Sequence, residues 1–277
     1  MSGKLYFNGE YLDYERLAIS PDDRAYHFAD GVYEVINFYD GRPFRMGEHF
    51  ERLKRSAEGL EISIPDINEL FEAAEKLQLM SGFNNAKLYI QVSRGTQERS
   101  HAYNDDLNPN ILMTCRKLKN NPDSFYQQGV ECITVSDDRW ARCYLKTIAL
   151  LPNVMAKRKA RKAGAFEAIF VRDGFVMEGS SSNLFIVDNG EIITPPASNY
   201  ILNGITRVTV LEIANKSGYK ISEKNIPLQE LYRADEVFLS GTTTEVMPVI
   251  KIDGKDINRG IVGGISKKLH AEYSKLL

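Results

Sequence analysis

The stretch at residues 176–190, VMEGSSSNLFIVDNG, reads as two apolar segments separated by a polar break. Short apolar runs bounded by turn residues favour buried strands, and the Asn-Gly pair at 189–190 is a hairpin signal. Glu178 ends the first strand, and three serines with Asn183 follow it. A carboxylate beside a row of hydroxyls, placed between two buried strands, indicates that this turn carries chemistry.

The chain around this stretch is rich in predicted strands. Alternating or continuous apolar runs closed by Asp-Gly and Asn-Gly pairs predict them at residues 129–137, 167–174, 175–179, 183–190, 191–196, 219–227, 236–241 and 246–254. Helices are predicted at about 150–163, at 206–218 and at the end of the chain. In the second helix Val208, Leu211 and Ala214 are expected to face inward, with Gly218 at its C-terminal cap.

The first part of the chain has a different composition. Strands are predicted at 4–12, 31–46, 86–95 and 110–118, and helices at 48–60 and 66–80. Phe50, Leu53, Ala57 and Leu60 recur at helical spacing, which predicts one buried face. The stretch KNNPDS at 119–124 reads as a linker. We therefore expect an α+β protein with an N-terminal α/β domain at 1–118 and a larger β-rich domain with flanking helices at 125–277.

Bulk composition narrows the class of protein. The chain has 277 residues, a net charge of −2 and a hydrophobic fraction of 43%, which disfavours a nucleic-acid or membrane-surface partner. The sequence offers no long apolar run that predicts a membrane span and no signal peptide. Cys115, Cys132 and Cys143 lack metal-site spacing, so we expect reduced thiols in a cytoplasmic protein. Four scattered histidines predict no metal site.

Two segments are candidate anion sites. NGITR at 203–207 precedes a predicted helix, whose first turn has unpaired N–H groups; Gly204 would let a ligand approach and Thr206 adds a hydroxyl. The alternative is that Thr206 is only an N-cap. LSGTTTEV at 239–246 places three threonines after a strand, where successive N–H groups could hold an anion or simply form a polar loop.

Two further features indicate covalent and carboxylate chemistry. Lys146 precedes an apolar helical turn, and apolar surroundings favour the neutral amine that forms a Schiff base. Arg99 and His101 are two residues apart, so on an extended loop they project the same way and suit a carboxylate. A surface lysine and a solvated loop are the alternatives. A phosphorylated aldehyde that forms an imine with lysine, such as pyridoxal phosphate, needs the whole set.

The sequence resembles the D-amino acid transaminases of the fold-type IV pyridoxal-phosphate family, which also contains branched-chain aminotransferases and aminodeoxychorismate lyase. The similarity runs nearly end to end, and its motifs are DDRAYHFADGVYEV, EHFERL, RGTQERSH, DDRWARCYLKT, GAFEAI, EGSSSN, ILNGITR and TTTEVMPV. Lys146 and EGSSSN, 32 residues apart, are specific for the family. Gly241 departs from the Ser or Thr that relatives tend to carry.

The resemblance implies a role for each matching position. It makes Lys146 the Schiff-base lysine that also moves the proton, and Glu178 the partner of the pyridine nitrogen. The implied phosphate ligands are Arg52, Ile205, Thr206, Gly241 and Thr242, and Leu202 would back the ring. The implied trap for the substrate carboxylate is Tyr33, Arg99 and His101. Arg99 and His101 would enter from the partner subunit of a homodimer.

The resemblance also implies the reaction, a ping-pong transamination of D-alanine with 2-oxoglutarate to pyruvate and D-glutamate. An L-branched-chain aminotransferase and an aminodeoxychorismate lyase are the alternatives within the fold, and a non-catalytic scaffold is the alternative outside enzymes. For the opening stretch, we expect Glu178 to stay ionised beside a protonated ring nitrogen. The serines would line a polar rim and bind cofactor, water or substrate.

Overall fold

The computed structural model describes residues 3–277, which divide into two compact units. The N-terminal unit runs to Lys119 and also takes in Leu145–Leu150, and the C-terminal unit comprises Asn120–Tyr144 and Leu151–Leu277. This division follows the predicted linker except for one short segment.

The N-terminal unit is an antiparallel sheet with two long helices. In chain order its elements are β1 (Lys4–Phe7), β2 (Glu10–Asp13), α1 (Arg24–Phe28), β3 (Gly31–Tyr39), β4 (Arg42–Pro43), α2 (Met46–Glu58), α3 (Ile67–Ser81), β5 (Ala86–Ser93) and β6 (Asn110–Lys117). The strand order is β2-β1-β6-β5-β3-β4. Helices α2 and α3 pack on this sheet, α2 against β3 and α3 against β6 and β1.

Apolar periodicity builds the core of this unit. Phe50, Leu53 and Ala57 of α2 are buried as predicted, and they pack in one cluster with alternate residues of β3 and β5 such as Ile36 and Leu88. Helix α3 begins after Asp66, whose carboxylate accepts a hydrogen bond from the Asn68 backbone N–H at 2.7 Å.

The segment Leu145–Leu150 joins the N-terminal unit because its backbone pairs with β3. The Tyr33 N–H donates to the Lys146 carbonyl at 3.0 Å, and the Ile148 N–H donates to Gly31 at 3.0 Å. A Cβ on Gly59 would overlap the side chain of Leu145. A larger residue at position 59 would therefore have to displace that leucine. These contacts fix the backbone on both sides of Lys146.

The C-terminal unit is built on a mixed ten-stranded sheet. In chain order its elements are α4 (Asp123–Gln128), β7 (Val130–Ser136), α5 (Leu151–Lys162), β8 (Glu167–Arg172), β9 (Phe175–Gly179), β10 (Asn183–Asp188), β11 (Glu191–Thr194), α6 (Ile205–Lys216), β12 (Ile221–Glu223), β13 (Ile226–Pro227), α7 (Leu228–Arg233), β14 (Glu236–Gly241), β15 (Glu245–Ile252), β16 (Lys255–Asp256) and α8 (Gly264–Ser274). Nine strands follow the order β12-β11-β10-β14-β15-β7-β8-β9-β13, and β16 pairs with β15.

The two faces of this sheet are covered differently. Val237 and Leu239 of β14 point into an aliphatic cluster with Leu184 and Ile186 of β10. The intervening residue Phe238 stacks on Phe185 at a centroid distance of 4.8 Å. Helices α6 and α8 pack against β14. The aliphatic cluster around Val237 and Leu239 contains no residue of α6 or α8. Residues of even number on β14 point to the opposite face and therefore face these helices, since side chains alternate along a strand.

Most predicted elements are confirmed, with errors at four places. Helix α4 begins inside the predicted linker, and the short helices α1 and α7 were not predicted. The inward face of α6 is also partly wrong: Val210, Ile213 and Ala214 are buried, whereas Val208 and Leu211 are half-buried. Gly218 follows the helix in the left-handed region, with φ +76°, as predicted for its end.

The opening stretch forms β9, a turn and β10, and its serines have one common partner. Glu167 of β8 is fully buried and accepts hydrogen bonds from Ser180 at 2.5 Å, Ser181 at 2.9 Å and Ser182 at 3.3 Å. The Lys157 ammonium lies 3.3 Å from the same carboxylate. The expectation that these hydroxyls line a rim for cofactor or substrate therefore changes, because they satisfy a buried anion of the fold.

We predict that Glu167→Ala destabilises the protein by about 3 kcal/mol or more, because several buried donors lose their acceptor together. Ser180→Ala should cost about 1 kcal/mol, since Glu167 keeps its other partners. The measurement is the free energy of unfolding in urea. Glu230→Ala, at an exposed position of α7, is the matched control and should stay within about 0.5 kcal/mol of wild type. Equal effects at 167 and 230 would contradict the role given to Glu167.

Candidate active site

Lys146 and Tyr33 lie together in the N-terminal unit. The Lys146 Nζ is 4.3 Å from the centroid of the Tyr33 ring, and their backbones share the hydrogen bond described above. The Lys146 N–H also donates to Ser56 Oγ of α2 at 3.0 Å. The amine of Lys146 is thus held over an aromatic face by a backbone fixed at two points.

Tyr33 is positioned by a second tyrosine. Its ring lies 5.8 Å from that of Tyr89 on the neighbouring strand β5. The Tyr89 hydroxyl donates to Gln91 Oε1 at 2.7 Å, and burial, with a smaller contribution from Tyr33, raises the pKa of Tyr89 to about 12. Tyr89 therefore stays a neutral support for Tyr33 over the whole physiological pH range.

Arg52, the predicted phosphate ligand, lies in a buried ionic cluster that the sequence analysis missed. Its Nε and Nη2 donate to the two oxygens of Glu34 at 2.6 and 2.9 Å, and His49 Nδ1 is 2.7 Å from the same carboxylate. Burial would raise the pKa of Glu34, but Arg52 and His49 hold it well below its usual value. Burial lowers the pKa of His49, against the opposing effect of Glu34.

A sequence signal for this cluster existed. Glu34 is the charged residue of β3 and stands at a buried position, and His49 and Arg52 are three residues apart on the buried face of α2. A carboxylate on a central strand needs a cation, because a buried unpaired charge is costly. The i,i+3 spacing supplies a guanidinium and an imidazole on one face.

Arg99 and His101 are exposed and lie around Phe28 rather than against Tyr33. The Arg99 guanidinium is 5.2 Å from the Phe28 ring centroid, and the His101 ring is 5.4 Å from it. Arg24 holds this loop by donating to the Ser100 carbonyl at 2.7 Å. The structure therefore brings Arg99 and His101 to the same ring, as their spacing predicted, but not to the third residue of the predicted carboxylate trap.

Glu178 lies in a buried ionic cluster of the C-terminal unit. Arg139 Nη1 donates to Glu178 at 2.6 Å, and the same guanidinium holds Asp137 through Nε at 2.9 Å and Nη2 at 3.0 Å. Burial alone would lower the pKa of Arg139, but the two carboxylates raise it above its usual value. A guanidinium that cannot lose its proton keeps Glu178 beside a permanent positive charge.

Arg139 is a functional residue that the sequence analysis missed. It stands in DDRW, inside a motif used only for its lysine, and Asp137 two residues earlier is its ion-pair partner. The carboxylate of Asp137 also accepts a hydrogen bond from Arg172 at 3.2 Å. An Asp and an Arg two apart at the end of a strand can face the same way, which was the available signal.

Asn183 joins Glu178 to the segment before α6. Its Nδ2 donates to Glu178 at 3.0 Å and to the Leu202 carbonyl at 2.8 Å, while the Leu202 N–H donates to Glu178 at 3.1 Å. A Cβ at Gly204 would collide with Asn183 Oδ1. The lack of a side chain at Gly204 thus leaves room for the Asn183 amide, and not only for the approach of a ligand.

Within residues 3–277, no side-chain hydrogen bond caps the N-terminus of helix α6. Its N-cap is Gly204, and Ile205 and Thr206 are buried residues of the first turn. The alternative that Thr206 is the N-cap is therefore wrong. The partial positive charge and unpaired N–H groups of this turn suit an anion.

Gly241 and Thr242 lie at the β14–β15 turn. A Cβ at Gly241 would come 3.3 Å from the Ser181 carbonyl, so the serine turn leaves little room for a larger residue there. The preceding residue, Ser240, is fully buried, and its Oγ has no hydrogen-bond partner among residues 3–277. A buried hydroxyl without a partner is uncommon and costs free energy.

These observations fit the predicted cofactor. A carboxylate held next to a fixed guanidinium suits a cationic ring nitrogen, and the open first turn of α6 together with the hydroxyl of Ser240 suits a phosphate. A lysine amine held over an aromatic ring suits a covalent anchor.

No group of three His, Cys, Asp or Glu side chains in residues 3–277 is arranged to hold a metal ion. Within the same residues, every helix is too short or too polar to cross a membrane.

Comparison with proteins of known sequence identifies consistent relatives. The D-alanine aminotransferase of Bacillus licheniformis is 41% identical over 268 residues, which cover 96% of this chain and 94% of that protein. The D-alanine aminotransferase of Staphylococcus aureus strain N315 is 40% identical over 276 residues, 99% of this chain and 98% of that one.

Comparison with solved structures identifies a second group. The branched-chain amino acid aminotransferase of Escherichia coli is 26% identical with a TM-score of 0.93, covering 99% of this chain and 94% of that one. The enzyme of Thermoproteus uzoniensis, solved with norvaline, is 30% identical with a TM-score of 0.89, with coverage of 99% and 94%. These structures share the two-domain fold-type IV architecture, which confirms the predicted fold class.

The model of the family Amino-transferase class IV matches residues 31–252, which include every residue of the predicted site. Members of this family depend on pyridoxal 5′-phosphate, as the sequence motifs predicted. The match spans most of the chain and agrees with both groups of relatives. This chain belongs to the class IV aminotransferases.

Proposed function

We propose that this chain is a pyridoxal-phosphate-dependent transaminase of D-amino acids, which moves the amino group of D-alanine to 2-oxoglutarate. The observation that carries the proposal is the pairing of Lys146 with Tyr33, whose ring centroid lies 4.3 Å from the amine. That contact supports the proposal, because Lys146 is the predicted base and Tyr33 is predicted to bind the substrate carboxylate. D-alanine aminotransferases similar to the chain over nearly its whole length support the choice of substrate.

Lys146 has two roles in this proposal. Bound pyridoxal phosphate supplies a carbonyl carbon that condenses with amines and a ring that accepts the electrons left at the substrate α-carbon. Lys146 anchors the cofactor until the substrate amine displaces it, and its freed amine then takes the α-proton and returns it at C4′. The Ser56 and Tyr33 hydrogen bonds keep the Lys146 backbone in place during this exchange.

Glu178 would hold a protonated ring nitrogen, because Arg139 favours the ionised carboxylate. Leu202 would back the ring, since its backbone is tied to Glu178 and Asn183. We assign the phosphate to Arg52, to the first turn of α6 at Ile205 and Thr206, and to Gly241 and Thr242. Glu34 orients the guanidinium of Arg52 through a two-point contact.

Tyr33, Arg99 and His101 are proposed to hold the substrate carboxylate in a homodimer. Arg99 and His101 are exposed around Phe28 in their own unit, which suits side chains that enter a partner's site. Arg24 contributes by holding the carbonyl of Ser100 between them. We also propose that the two units act as separate domains. The three free cysteines support the proposal that the protein is cytoplasmic.

An L-branched-chain aminotransferase is the second candidate, favoured by the TM-score of 0.93 to the E. coli enzyme. Identity to that enzyme is 26%, against 41% to a D-alanine aminotransferase, so the D-amino acid reading is preferred. An aminodeoxychorismate lyase would share the lysine and the acid but release pyruvate without an amino acceptor.

The first prediction concerns the amino donor. Holoenzyme mixed with D-alanine and no keto acid should lose the visible absorption band of its bound cofactor, whereas L-leucine and L-alanine should leave the band unchanged. A stopped-flow absorbance measurement checks this. Loss of the band with L-leucine alone would assign the protein to the branched-chain group and remove the role of Tyr33, Arg99 and His101.

The second prediction is that Lys146→Ala abolishes turnover while the protein still folds and binds cofactor without a covalent link. Lys146 is the lysine whose amine lies over Tyr33 in residues 3–277, so both roles are lost together. Lys54→Ala, exposed on α2, is the matched control and should retain wild-type turnover. Multiple turnover by the Lys146 variant without an added amine would refute the assignment.

The third prediction tests the shared site. Arg99→Ala should raise KM for D-alanine roughly 10- to 100-fold through loss of a charge-assisted contact, with Arg42→Ala as the exposed control. Mixing the Arg99→Ala and Lys146→Ala proteins under exchanging conditions should then restore about a quarter of wild-type activity at low substrate, since each mixed dimer has one intact site. Mixtures no more active than their components would show that Arg99 does not act across subunits.

A further inference from the structure

Ser240 is the next-to-last residue of β14, and its hydroxyl has no partner in the part of the chain that the structure describes. The residue is fully buried, and its Oγ has no partner among residues 3–277. The serines of the neighbouring turn, at 180–182, show the usual situation, since each donates to Glu167. An unsatisfied buried hydroxyl costs about 1–3 kcal/mol, so its presence needs a reason.

The strand register determines which way Ser240 points. It lies directly opposite Asn183 of β10, and two residues earlier Phe238 lies opposite Phe185. Phe238 and Ser240 share one face of β14, the face covered by α6 and α8, because side chains alternate. Directly opposed residues carry their side chains on the same face, about 4.5–5.5 Å apart at Cβ.

Asn183, the residue opposite Ser240, contacts the segment at the start of α6. The Asn183 amide donates to the carbonyl of Leu202, and its Oδ1 occupies the space that a Cβ on Gly204, the N-cap, would take. The hydroxyl of Ser240 is therefore one strand spacing from a side chain that contacts the uncapped N-terminus of α6. Two independent features, an open helix N-terminus and an unpartnered buried hydroxyl, converge at the same end of the sheet.

We propose that Ser240 is a further ligand of the cofactor, and that its Oγ donates to the phosphate held at the first turn of α6. The inference rests on the proposed function, because that function supplies the phosphate. Ser240 also immediately precedes Gly241, where the chain has no side-chain hydroxyl to offer. The hydroxyl one residue earlier provides a donor from the strand itself.

The test compares two ligands and two variants of the apoprotein. Pyridoxamine 5′-phosphate binds without a covalent link to Lys146, and pyridoxamine is the same ring without the phosphate. Ser240→Ala should raise the Kd of the phosphorylated ligand about tenfold or more, the loss of a hydrogen bond to a charged group, and leave the Kd of pyridoxamine unchanged. Isothermal titration calorimetry measures both constants.

Ser266→Ala is the matched control. Ser266 is a buried serine of the same unit, but its Oγ donates to the Gly263 carbonyl at 3.1 Å. Its removal should lower the unfolding temperature of the apoprotein and leave both ligand constants unchanged. Ser240→Ala should instead leave the apoprotein equally or more stable, because it removes an unsatisfied group.

Three results would overturn the proposal. Equal Kd of the phosphorylated ligand for wild type and Ser240→Ala would show that the hydroxyl does not contact the phosphate. If Ser240→Ala raised the Kd of both ligands by the same factor, Ser240 would contact the ring and not the phosphate. A loss of apoprotein stability like that of Ser266→Ala would mean that Ser240 is already hydrogen-bonded. Failure of the wild-type apoprotein to bind either ligand would instead refute the proposed function itself.

Discussion

The C-terminal unit depends on one buried guanidinium, that of Arg139. It is 6% exposed and makes hydrogen bonds to Asp137, to Glu178 and to the Tyr200 carbonyl. Its loss would leave Glu178 without its cation and Asp137 with Arg172 alone, and breaking a buried ion pair costs more free energy than the pair contributes. Arg172 adds a second positive charge at Asp137, so the cluster balances two guanidinium groups against two carboxylates. Glu178 can therefore remain ionised in a buried position without relying on solvent.

The N-terminal unit solves a similar problem with a different set of side chains. Glu34 faces Arg52 through two hydrogen bonds, and the buried His49 bonds the same carboxylate. Because burial lowers the pKa of His49, the imidazole adds a hydrogen bond without adding a second positive charge. The cluster is thus one guanidinium paired with one carboxylate. A neutral cluster fixes the plane of Arg52 without a net buried charge.

Much of the fold could be predicted from local patterns, and the errors have local causes. Phe50, Leu53 and Ala57 recur at helical spacing, and their face was predicted because α2 has one solvent side. Helix α6 contacts both β14 and α8, so buried residues such as Thr209 and Val210 extend around it and periodicity located its inner face incorrectly. Helix α4 escaped prediction because Asn, Pro and Asp indicate a loop and a helix start equally well.

The roles of candidate-site residues could be predicted only for residues that stand in a family motif. Lys146, Glu178 and Arg52 came from the resemblance, but their partners Arg139 and Glu34 did not. Partners are set by three-dimensional contact: Arg139 and Glu178 are 39 residues apart in the chain. The serine hydroxyls were misassigned for the same reason, since no pattern in EGSSSN points to a carboxylate 13 residues earlier.

A rigid cofactor imposes a spacing that the chain must reproduce. The ring nitrogen and the phosphate belong to one molecule, so the acid proposed to face the first and the helix start proposed to face the second need a fixed separation. Asn183 supplies it, because one amide donates to Glu178 and to the Leu202 carbonyl while its oxygen abuts Gly204. A side chain at Gly204 would displace that amide, whose hydrogen bonds hold Glu178 and the Leu202 carbonyl. The glycine before α6 is therefore required by the internal geometry of the site, independently of how closely a ligand approaches it.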